Sequence, residues 1–492
     1  MRIELQTGRY AAVTCDLLAC PVFENKAGAP LIKAMDKATQ GLVSTVLSTG
    51  EFKPELHRTC LIHRPARLKA QRLLLIGAGK ESEFNLARLR DIAGTAARSA
   101  RLARCKSIAL LLCGGFPAAE AARVAAEGAL HGNYDSEIYK TRDIETGNVE
   151  ELVLLGEGKV RLHEAEEGIR RGIILGNAVN FARTLGNEPA NVMTPSKLAE
   201  HALAVGARTG LEVQIIERAE MEKLGMNALL AVSRGSEQPP KLIVLRFPGQ
   251  KIKKGDPYYA LVGKGVTFDS GGISIKPSEK MEDMKADMAG GAAVLATMAA
   301  LAELGPRHAV LGLIPAVENL PSGKATKPGD IVKSYQGKTI EIINTDAEGR
   351  LILADALAYA RTLGATRLID IATLTAAIIV ALGQINAGMM GTDQEILERI
   401  RCSARFTGER FWQLPLDEDY RKAILSQIAD IKNVGNRCGG AITAAKFLQE
   451  FVDNTPWVHL DIAGVDLDHD GQPFAAKGAT GFGVRTLVHL LT

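Results

Sequence analysis

The sequence predicts an α/β protein of two domains: a C-terminal domain with a mostly parallel central sheet flanked by helices, and a smaller N-terminal α/β domain. With 492 residues, the chain is too long for one ordinary core. Its 46% hydrophobic and 23% charged residues are typical of a globular protein. Strand-like and helix-like segments alternate without internal repeats, which favours parallel strands covered by helices.

The N-terminal part contains strands and helices in turn. Buried-strand patterns and apolar positions at helical spacing distinguish the two kinds of segment. The predicted strands are 9–13, 72–76, 107–112 and 151–155, and the predicted helices are 30–49, 85–104 and 118–131. A long helix over 163–185 follows and is stopped by a loop with two prolines, since proline disfavours helix in the residue before it.

The C-terminal part continues the alternation. Its predicted strands are 211–216, 241–246, 257–263, 308–315 and 367–372, with a hairpin at 331–335 and 339–343. Its predicted helices are 196–209, 283–304 and 348–363. This order predicts a largely parallel sheet with helices on both faces.

Charge, cysteine content and hydropathy narrow the class of protein. The net charge of +3 is too small to indicate a partner. Seven scattered cysteines without a C-x-x-C pair fit reduced thiols. No apolar run approaches a membrane span and the N-terminus does not resemble a signal peptide, so we expect a cytoplasmic protein without a membrane partner.

The octapeptide 344–351 carries the most chemical information. It places two carboxylates, Asp346 and Glu348, and the guanidinium of Arg350 between a predicted strand and a predicted helix. Such a turn suits metal ions and an anionic partner. Acids are also common in the first turn of a helix, where they complement its dipole, so the octapeptide alone leaves both interpretations open.

A second group of charged residues precedes it: Lys264, Asp269, Lys276 and Asp287. They fall at strand ends or helix starts, where open α/β sheets place their chemistry. Carboxylates without histidine or cysteine suit hard divalent ions, and zinc accepts them too. A lysine ligates only as the neutral amine, which burial and nearby dications favour. Without a metal, Lys264 and Asp269 would form an ordinary ion pair.

Together these residues resemble the leucyl aminopeptidases of the cytosolic, two-metal type, peptidase family M17, in their bacterial form. The resemblance continues through 370–375, 439–445, 457–464 and 477–483, and so covers nearly all of 180–492. It implies an N-terminal macro-like α/β domain over 1–160, a linking helix over 161–186 and a catalytic peptidase domain over 187–492. It also implies a homohexamer.

The resemblance implies two divalent metal ions per subunit, manganese or zinc, with magnesium or cobalt as alternatives. The implied ligands are Lys264, Asp269, Asp287, Asp346 and Glu348. Two ions would lower the pKa of a bridging water and polarise the scissile carbonyl.

The two implied catalytic residues are not metal ligands. Lys276 would stabilise the oxyanion, a role whose loss typically costs about 10²–10³ in rate. Arg350 would hold a bicarbonate that moves protons; a salt bridge that only braces Asp346 or Glu348 is the alternative.

Five further residues match positions that bind substrate in the family: Met284, Asn344, Ala347, Thr373 and Leu374. An apolar pocket of this kind would accept leucine-like and methionine-like side chains with broad selectivity. Met284 could instead fill a gap in the core, as methionine often does. The implied function is a metal-dependent aminopeptidase that releases N-terminal residues, preferably leucine, from peptides.

Two other functions remain open. Some bacterial relatives also bind DNA, and four arginines share one stripe of the predicted helix 85–104: Arg90, Arg98, Arg101 and Arg104. A solvated helix face explains such a stripe more simply. A catalytically inactive scaffold is the third interpretation.

Two other motifs are not assigned a function. The glycine turn at 77–80 lacks a nucleotide-binding pattern, and His459 near Asp461 is interpreted as a structural histidine.

Overall fold

The computed structural model describes residues 1–26, 29–142, 147–156, 162–247 and 255–492. They form two compact units, one of Met1–Asn180 with His469–Lys477 and one of Phe181–Asp468 with Gly478–Thr492. Each unit has its own sheet and its own hydrophobic core. The predicted fold class, α/β with a larger C-terminal and a smaller N-terminal domain, is confirmed.

The first unit is a six-stranded sheet with helices on both faces. In the order β1-β6-β5-β2-β4-β3, every pair is parallel except β3 with β4. The strands are β1 Arg2–Thr7, β2 Leu17–Phe23, β3 Thr59–His63, β4 Arg72–Gly79, β5 Ser107–Leu111 and β6 Glu151–Gly156. The helices are α1 Pro30–Ala38, α2 Leu42–Ser48, α3 Leu86–Leu102 and α4 Ala118–Gly132, with 3-10 turns at Tyr10–Ala12 and Glu81–Glu83. Helix α5, Leu162–Asn187, follows.

Two predictions for this unit are wrong. The predicted strand 9–13 contains the 3-10 turn Tyr10–Ala12. β1 and β2 both run parallel to the strands between them, so the segment that joins them must cross back and cannot join the sheet. The predicted helix 30–49 is two helices, because Gln40 and Gly41 adopt left-handed conformations that end α1.

Two arginines of α3 form contacts with other residues of the first unit. Arg101 is buried, and its guanidinium lies 2.6 Å from Asp135 and 2.8 Å from the side-chain oxygen of Asn148. Arg90 is mostly buried and lies 3.1 Å from Asp91. Two of the four stripe residues are therefore paired within the fold, and the feature that motivated DNA binding is correspondingly weaker.

The second unit is built on a nine-stranded sheet. Its order is β16-β15-β18-β14-β9-β11-β8-β7, with β10 paired to β11. The strands of this unit, including those of two small sheets, are β7 Glu212–Glu217, β8 Lys241–Arg246, β9 Tyr258–Gly263, β10 Gly265–Asp269, β11 Ala309–Asn319, β12 Ile331–Lys333, β13 Thr339–Glu341, β14 Arg367–Ala372, β15 Ala387–Gly391, β16 Phe411–Gln413, β17 Ile431–Lys432, β18 Trp457–Asp461, β19 Leu467–Asp468 and β20 Gly478–Ala479. The strands β18, β14, β9, β11 and β10 are mutually parallel.

Helices cover this sheet. They are α6 Pro195–Thr209, α7 Arg218–Leu224, α8 Asn227–Ser233, α9 Ala289–Leu304, α10 Gly349–Thr362, α11 Ala376–Leu382, α12 Gln394–Thr407, α13 Gly440–Gln449 and α14 Val484–Leu491, with 3-10 segments at Met281–Ala286 and Glu418–Ile424. The predicted helix 283–304 thus begins as a 3-10 segment and becomes α-helical only at Ala289.

One helical stretch, Met281–Leu304, is long and apolar enough to span a membrane, which the sequence analysis did not expect. However, 78% of its most apolar window is buried inside the protein. Its alanines and leucines contribute to the core of the second unit. A core helix of a globular protein explains the composition, because such helices are apolar all round.

Parallel pairing determines where the functional residues lie. The carboxyl ends of β9, β10, β11, β14 and β18 share one edge of the sheet. Lys264 follows β9, Asp269 ends β10, Asn319 ends β11, Thr373 follows β14 and Asp461 ends β18. This edge is the usual place for a ligand site in an open α/β sheet.

Candidate active site

Lys264 is sealed inside the site between two carboxylates. Its ammonium nitrogen lies 2.7 Å from Asp287 Oδ1 and 2.8 Å from Glu348 Oε1, and it donates to the carbonyl of Thr373 at 2.8 Å. Only 3% of the side chain is exposed. The predicted pair with Asp269 is thus replaced by closer contacts to Asp287 and Glu348.

Two glycines make this close packing possible. A Cβ on Gly349, at the start of α10, would lie 2.7–2.8 Å from the Cδ, Cε and Nζ atoms of Lys264. A Cβ on Gly290, in the first turn of α9, would lie 2.0 Å from the carbonyl oxygen of Ile371. Both helix starts can therefore approach the strand ends only because these positions lack a side chain.

Lys276 connects the other two acids. Its nitrogen lies 2.8 Å from Asp269 Oδ2 and 2.6 Å from Asp346 Oδ1. Its side chain is 22% exposed, compared with 3% for Lys264. Lys276 is therefore the more open of the two lysines.

The site carries more negative than positive charge. Within the described residues, Asp269, Asp287, Asp346 and Glu348 form ion pairs with two ammonium groups, those of Lys264 and Lys276. Burial and the nearby Glu348 raise the pKa of Asp269 to about 6. Burial also raises the pKa of Asp287 well above its usual range. Despite burial, Lys264 and Lys276 lower the pKa of Glu348, so the four acids differ in how well positive charge compensates them.

The donor set fits divalent metal ions. One carboxylate oxygen from each of Asp269, Asp346 and Glu348 lies within 4.8 Å of the other two. Asp287 Oδ2 and Glu348 Oε2 are buried and have no hydrogen-bond partner. A buried anionic oxygen without a donor is costly, and a metal ion is the partner that carboxylates of this arrangement accept.

A side chain that the sequence analysis missed holds the octapeptide turn. Asn433 is fully buried, and its Oδ1 accepts from the backbone N–H of Ile343 at 2.8 Å and of Asn344 at 3.3 Å. Its Nδ2 donates to the carbonyls of Asn344 at 2.7 Å and Ala347 at 3.3 Å. One amide therefore fixes the backbone from which Asp346 and Glu348 project.

Asn319 was missed as well. Its Nδ2 donates to Asp269 Oδ1 at 2.8 Å and to the carbonyl of Thr345 at 3.0 Å. It therefore joins the end of β10 to the octapeptide turn. Neither asparagine belongs to a motif that spacing could have revealed, because each lies far in sequence from the groups that it contacts.

Arg350 is buried without an acidic partner. Its Nη1 donates to the backbone carbonyl of Asn433 at 2.8 Å, and its Nε has no hydrogen-bond partner. Among the described residues, none places a carboxylate within 4.0 Å of it, so the alternative of a salt bridge to Asp346 or Glu348 is wrong. Burial lowers the pKa of Arg350 to about 10. A buried guanidinium of this kind suits a small anion.

The five candidate substrate residues lie around the same site. Thr373 donates its hydroxyl to Asp287 Oδ1 at 2.7 Å, and Leu374 donates its N–H to Asp461 at 3.0 Å. Asn344 Oδ1 accepts from the N–H of Asp346 at 2.9 Å. Ala347 and Met284 complete the set: Ala347 is in the octapeptide turn, and Met284 is half-buried in the 3-10 segment that leads to Asp287.

His459 has a structural partner. Its Nδ1 lies 2.6 Å from Asp370 Oδ1, and Asp370 Oδ2 accepts from the indole N–H of Trp457 at 2.6 Å. All three side chains are fully buried on neighbouring strands. Asp461 instead accepts a hydrogen bond from the hydroxyl of Thr375 at 2.7 Å. His459 and Asp461, which are close in sequence, are therefore not hydrogen-bonded to each other.

Family models match both parts of the chain. The catalytic domain of the cytosol aminopeptidase family matches residues 180–488, and the N-terminal domain of the same family matches residues 19–143. A probable cytosol aminopeptidase of Solibacter usitatus is 46% identical over 490 residues, which cover 100% of this chain and 99% of that protein. One from Alkaliphilus oremlandii is 41% identical over 100% of this chain and 99% of that protein.

Solved structures agree with the sequence matches. A lysine-to-glutamate mutant of tomato leucine aminopeptidase is 35% identical with a TM-score of 0.91, covering 100% of this chain and 96% of that chain. The bottromycin maturation enzyme BotP in complex with Mn is 34% identical with a TM-score of 0.85, covering 97% and 99%. The protein is thus a peptidase, a hydrolase, and the chain belongs to the cytosol aminopeptidase family.

Proposed function

We propose that this aminopeptidase depends on two divalent metal ions held by Lys264, Asp269, Asp287, Asp346 and Glu348. The observation that carries the proposal is the convergence of four carboxylates, two of which keep a buried oxygen without a partner. Manganese and zinc are the proposed metals, with magnesium and cobalt as alternatives. The manganese complex of BotP supports manganese. When bound, such ions supply an activated water and polarise a carbonyl.

Lys264 and Lys276 have different proposed roles. Lys264 is sealed from solvent and would ligate through its neutral amine. Lys276 is more exposed and would remain an ammonium group. Acidic neighbours raise the pKa of both lysines despite burial, so a neutral Lys264 amine requires a bound ion beside it. Its charge would stabilise the oxyanion that forms when water attacks the peptide carbonyl.

Arg350 is the proposed holder of bicarbonate. Its Nε has no hydrogen-bond partner and its Nη1 donates to the neutral carbonyl of Asn433, and within the described residues no carboxylate lies within 4.0 Å of the guanidinium. An anion bound there can accept and return the proton of the attacking water. The ligand residues themselves offer no free base for this step.

The substrate class is a peptide with an apolar first residue, preferably leucine. Met284, Ala347 and Leu374 supply apolar surface beside the acids, while Asn344 and Thr373 supply polar atoms for the peptide backbone. We assign this chemistry to the domain 187–492, with 1–160 as a macro-like domain. The linking helix, expected over 161–186, would be α5, Leu162–Asn187.

We further propose a cytoplasmic homohexamer. The names of the relatives support the location. Apolar side chains exposed in and just after α11 support a subunit contact: Val380 is 89% exposed and Ile385 is 61% exposed.

The proposed function is tested with leucine p-nitroanilide. We expect release of the chromophore, loss of activity on adding a chelator, and recovery on adding manganese. Asp346→Ala and Lys276→Ala should each lower kcat/KM by at least about 10². Activity that persists in these variants would refute the assigned roles.

A further inference from the structure

A basic cleft lies in the second unit, outside the proposed metal site. It has a volume of about 700 Å³. One wall is formed by α7, the end of α8 and the residues after it, and the other by the loop that follows β11. The charged and apolar residues that line it are Arg218, Arg234, Glu237, Ile273, Lys324 and Lys327.

Most of its cations are not neutralised. Among the described residues, no carboxylate lies within 4.0 Å of Arg218, Arg234 or Lys324. Lys327 pairs with Asp330 at 3.0 Å, and Glu237 lines the cleft without forming an ion pair in the part of the chain that the structure describes. Four cations and one acid therefore line a concave surface. Asp330 offsets Lys327, and the concave shape concentrates the remaining excess of positive charge.

These cations do little for the fold. Arg234 and Lys324 are exposed, and in the described part of the chain the Arg218 side chain makes one hydrogen bond, a long one of 3.4 Å to the hydroxyl of Ser233. Like charges brought together on a concave surface repel one another, and a ligand of opposite charge relieves that repulsion. Both residue types are suited to oxyanions, arginine as a planar fork and lysine as a point charge.

The size of the cleft limits the ligand to a small molecule. Pockets of about 300–1,000 Å³ hold small ligands, whereas a protein partner needs about 800 Å² of surface on each side. We propose that this cleft binds a small, multiply charged oxyanion, either a phosphate ester or a polycarboxylate. The proposal does not rest on the metal site, because none of the lining residues is one of its proposed ligands.

The experiment is isothermal titration calorimetry on the manganese-loaded enzyme at low salt. Fructose bisphosphate is the phosphate-ester probe and tricarballylate the polycarboxylate probe. The test variant is the double substitution Arg234→Gln with Lys324→Gln. We expect binding of at least one probe, weakened at least about tenfold in the variant and by added salt.

The matched control is Lys223→Gln with Lys333→Gln, which removes the same charge from exposed positions outside the cleft. It should bind the probe like the wild type, and chelation of manganese by the probe would affect all three proteins equally. The proposal is overturned if neither probe binds the wild type at millimolar concentration, or if the test variant and the control bind equally. Hydrolysis of leucine p-nitroanilide, measured in parallel, keeps this result distinct from the proposed function.

Discussion

Asn433 illustrates how much of the site depends on residues without reactive chemistry. Its four hydrogen bonds to 343–347 hold the backbone that presents Asp346 and Glu348, and its own carbonyl accepts from Arg350. A buried backbone group left without a partner costs about 1–3 kcal/mol. The turn therefore has one strongly favoured conformation while this amide is present.

Asn433→Leu tests that role. Leucine has a similar size but leaves the backbone groups of the turn unpaired, so the carboxylates should lose their common orientation. We expect kcat/KM to fall at least about 10²-fold, because misplacing catalytic groups by about 1 Å has this effect. The control is Asn227→Leu, which removes an exposed hydrogen bond in the same unit. Equal activity in the two variants would contradict the positioning role.

Gly349→Ala tests the packing around Lys264. In an ordinary helix this change is favourable by about 0.8–1.0 kcal/mol, because alanine is the better helix former. Here the new Cβ would meet the end of Lys264 at 2.7–2.8 Å. We therefore expect the new methyl group to displace the Lys264 side chain. Metal content and activity should fall together, while the circular dichroism spectrum stays native. An active variant with full metal content would show that Lys264 can move freely.

The sequence predicted the charged residues of this site because their types and order form a motif. It could not predict Asn319 and Asn433, since asparagine occurs in many turns and these two contact the turn across 26 and 83–90 residues of sequence. The orientation of Arg350 was equally inaccessible. Spacing places it near the acids, whereas only the fold shows that its guanidinium donates to the carbonyl of Asn433.

At the scale of elements, α10 connects the site to the core. It begins at Gly349, beside the proposed ligands, and its Asp355 is fully buried. Asp355 accepts from the backbone N–H of Leu229 at 2.9 Å and of Tyr335 at 2.8 Å. The carboxylate thus holds α8 and the end of the small hairpin against α10.

Asp355 should make stability depend on pH. Burial raises its pKa to about 7. A carboxyl group whose pKa is higher in the folded state favours folding when it is protonated. The free energy of unfolding therefore falls as the pH rises from about 4 to 7. This fall in the free energy of unfolding is at most about 4 kcal/mol, because the folded-state pKa is higher than the ordinary value by about three.

The measurement is the difference in melting temperature between the wild type and Asp355→Asn at several pH values. Other titrating groups cancel in this difference. The variant has no ionisable group at this position, so its melting temperature should rise relative to that of the wild type as the pH increases from 4.5 to about 7.5. A difference that stays constant over this range would contradict the raised pKa.

Element boundaries show why local patterns have limits. The predicted helix 30–49 has continuous helical spacing, and only the left-handed backbone at Gln40 and Gly41 divides it. The predicted strand 9–13 is apolar enough for a strand, but parallel pairing of β1 and β2 requires a crossover there. A local backbone conformation decided the first case, and the chain path of the whole unit decided the second.

At the scale of the whole molecule, the arrangement of parallel strands explains why one edge carries the chemistry. Five strand ends bring together residues that are up to about 200 positions apart in sequence, from Lys264 to Asp461. The order of residue types predicted the family, and the alternation of strand-like and helix-like segments predicted the fold class. Neither revealed that residues 469–477 belong to the first compact unit.

The proposed hexamer makes a prediction at this scale. Light scattering coupled to size-exclusion chromatography should give a mass of six chains of 52.6 kDa. Val380→Asp, on the most exposed apolar side chain of α11, should reduce that mass, because a charge in an apolar contact is costly to bury. A stable monomer in the wild type would contradict the proposed assembly.

The central claim is that four carboxylates and Lys264 bind two metal ions. It is tested most directly by the metal-to-protein ratio of enzyme loaded with manganese and then desalted. We predict two ions per chain for the wild type and no more than one for Asp287→Ala, with native circular dichroism in both. A wild-type enzyme that retains none, or a variant that retains as many as the wild type, would contradict the account.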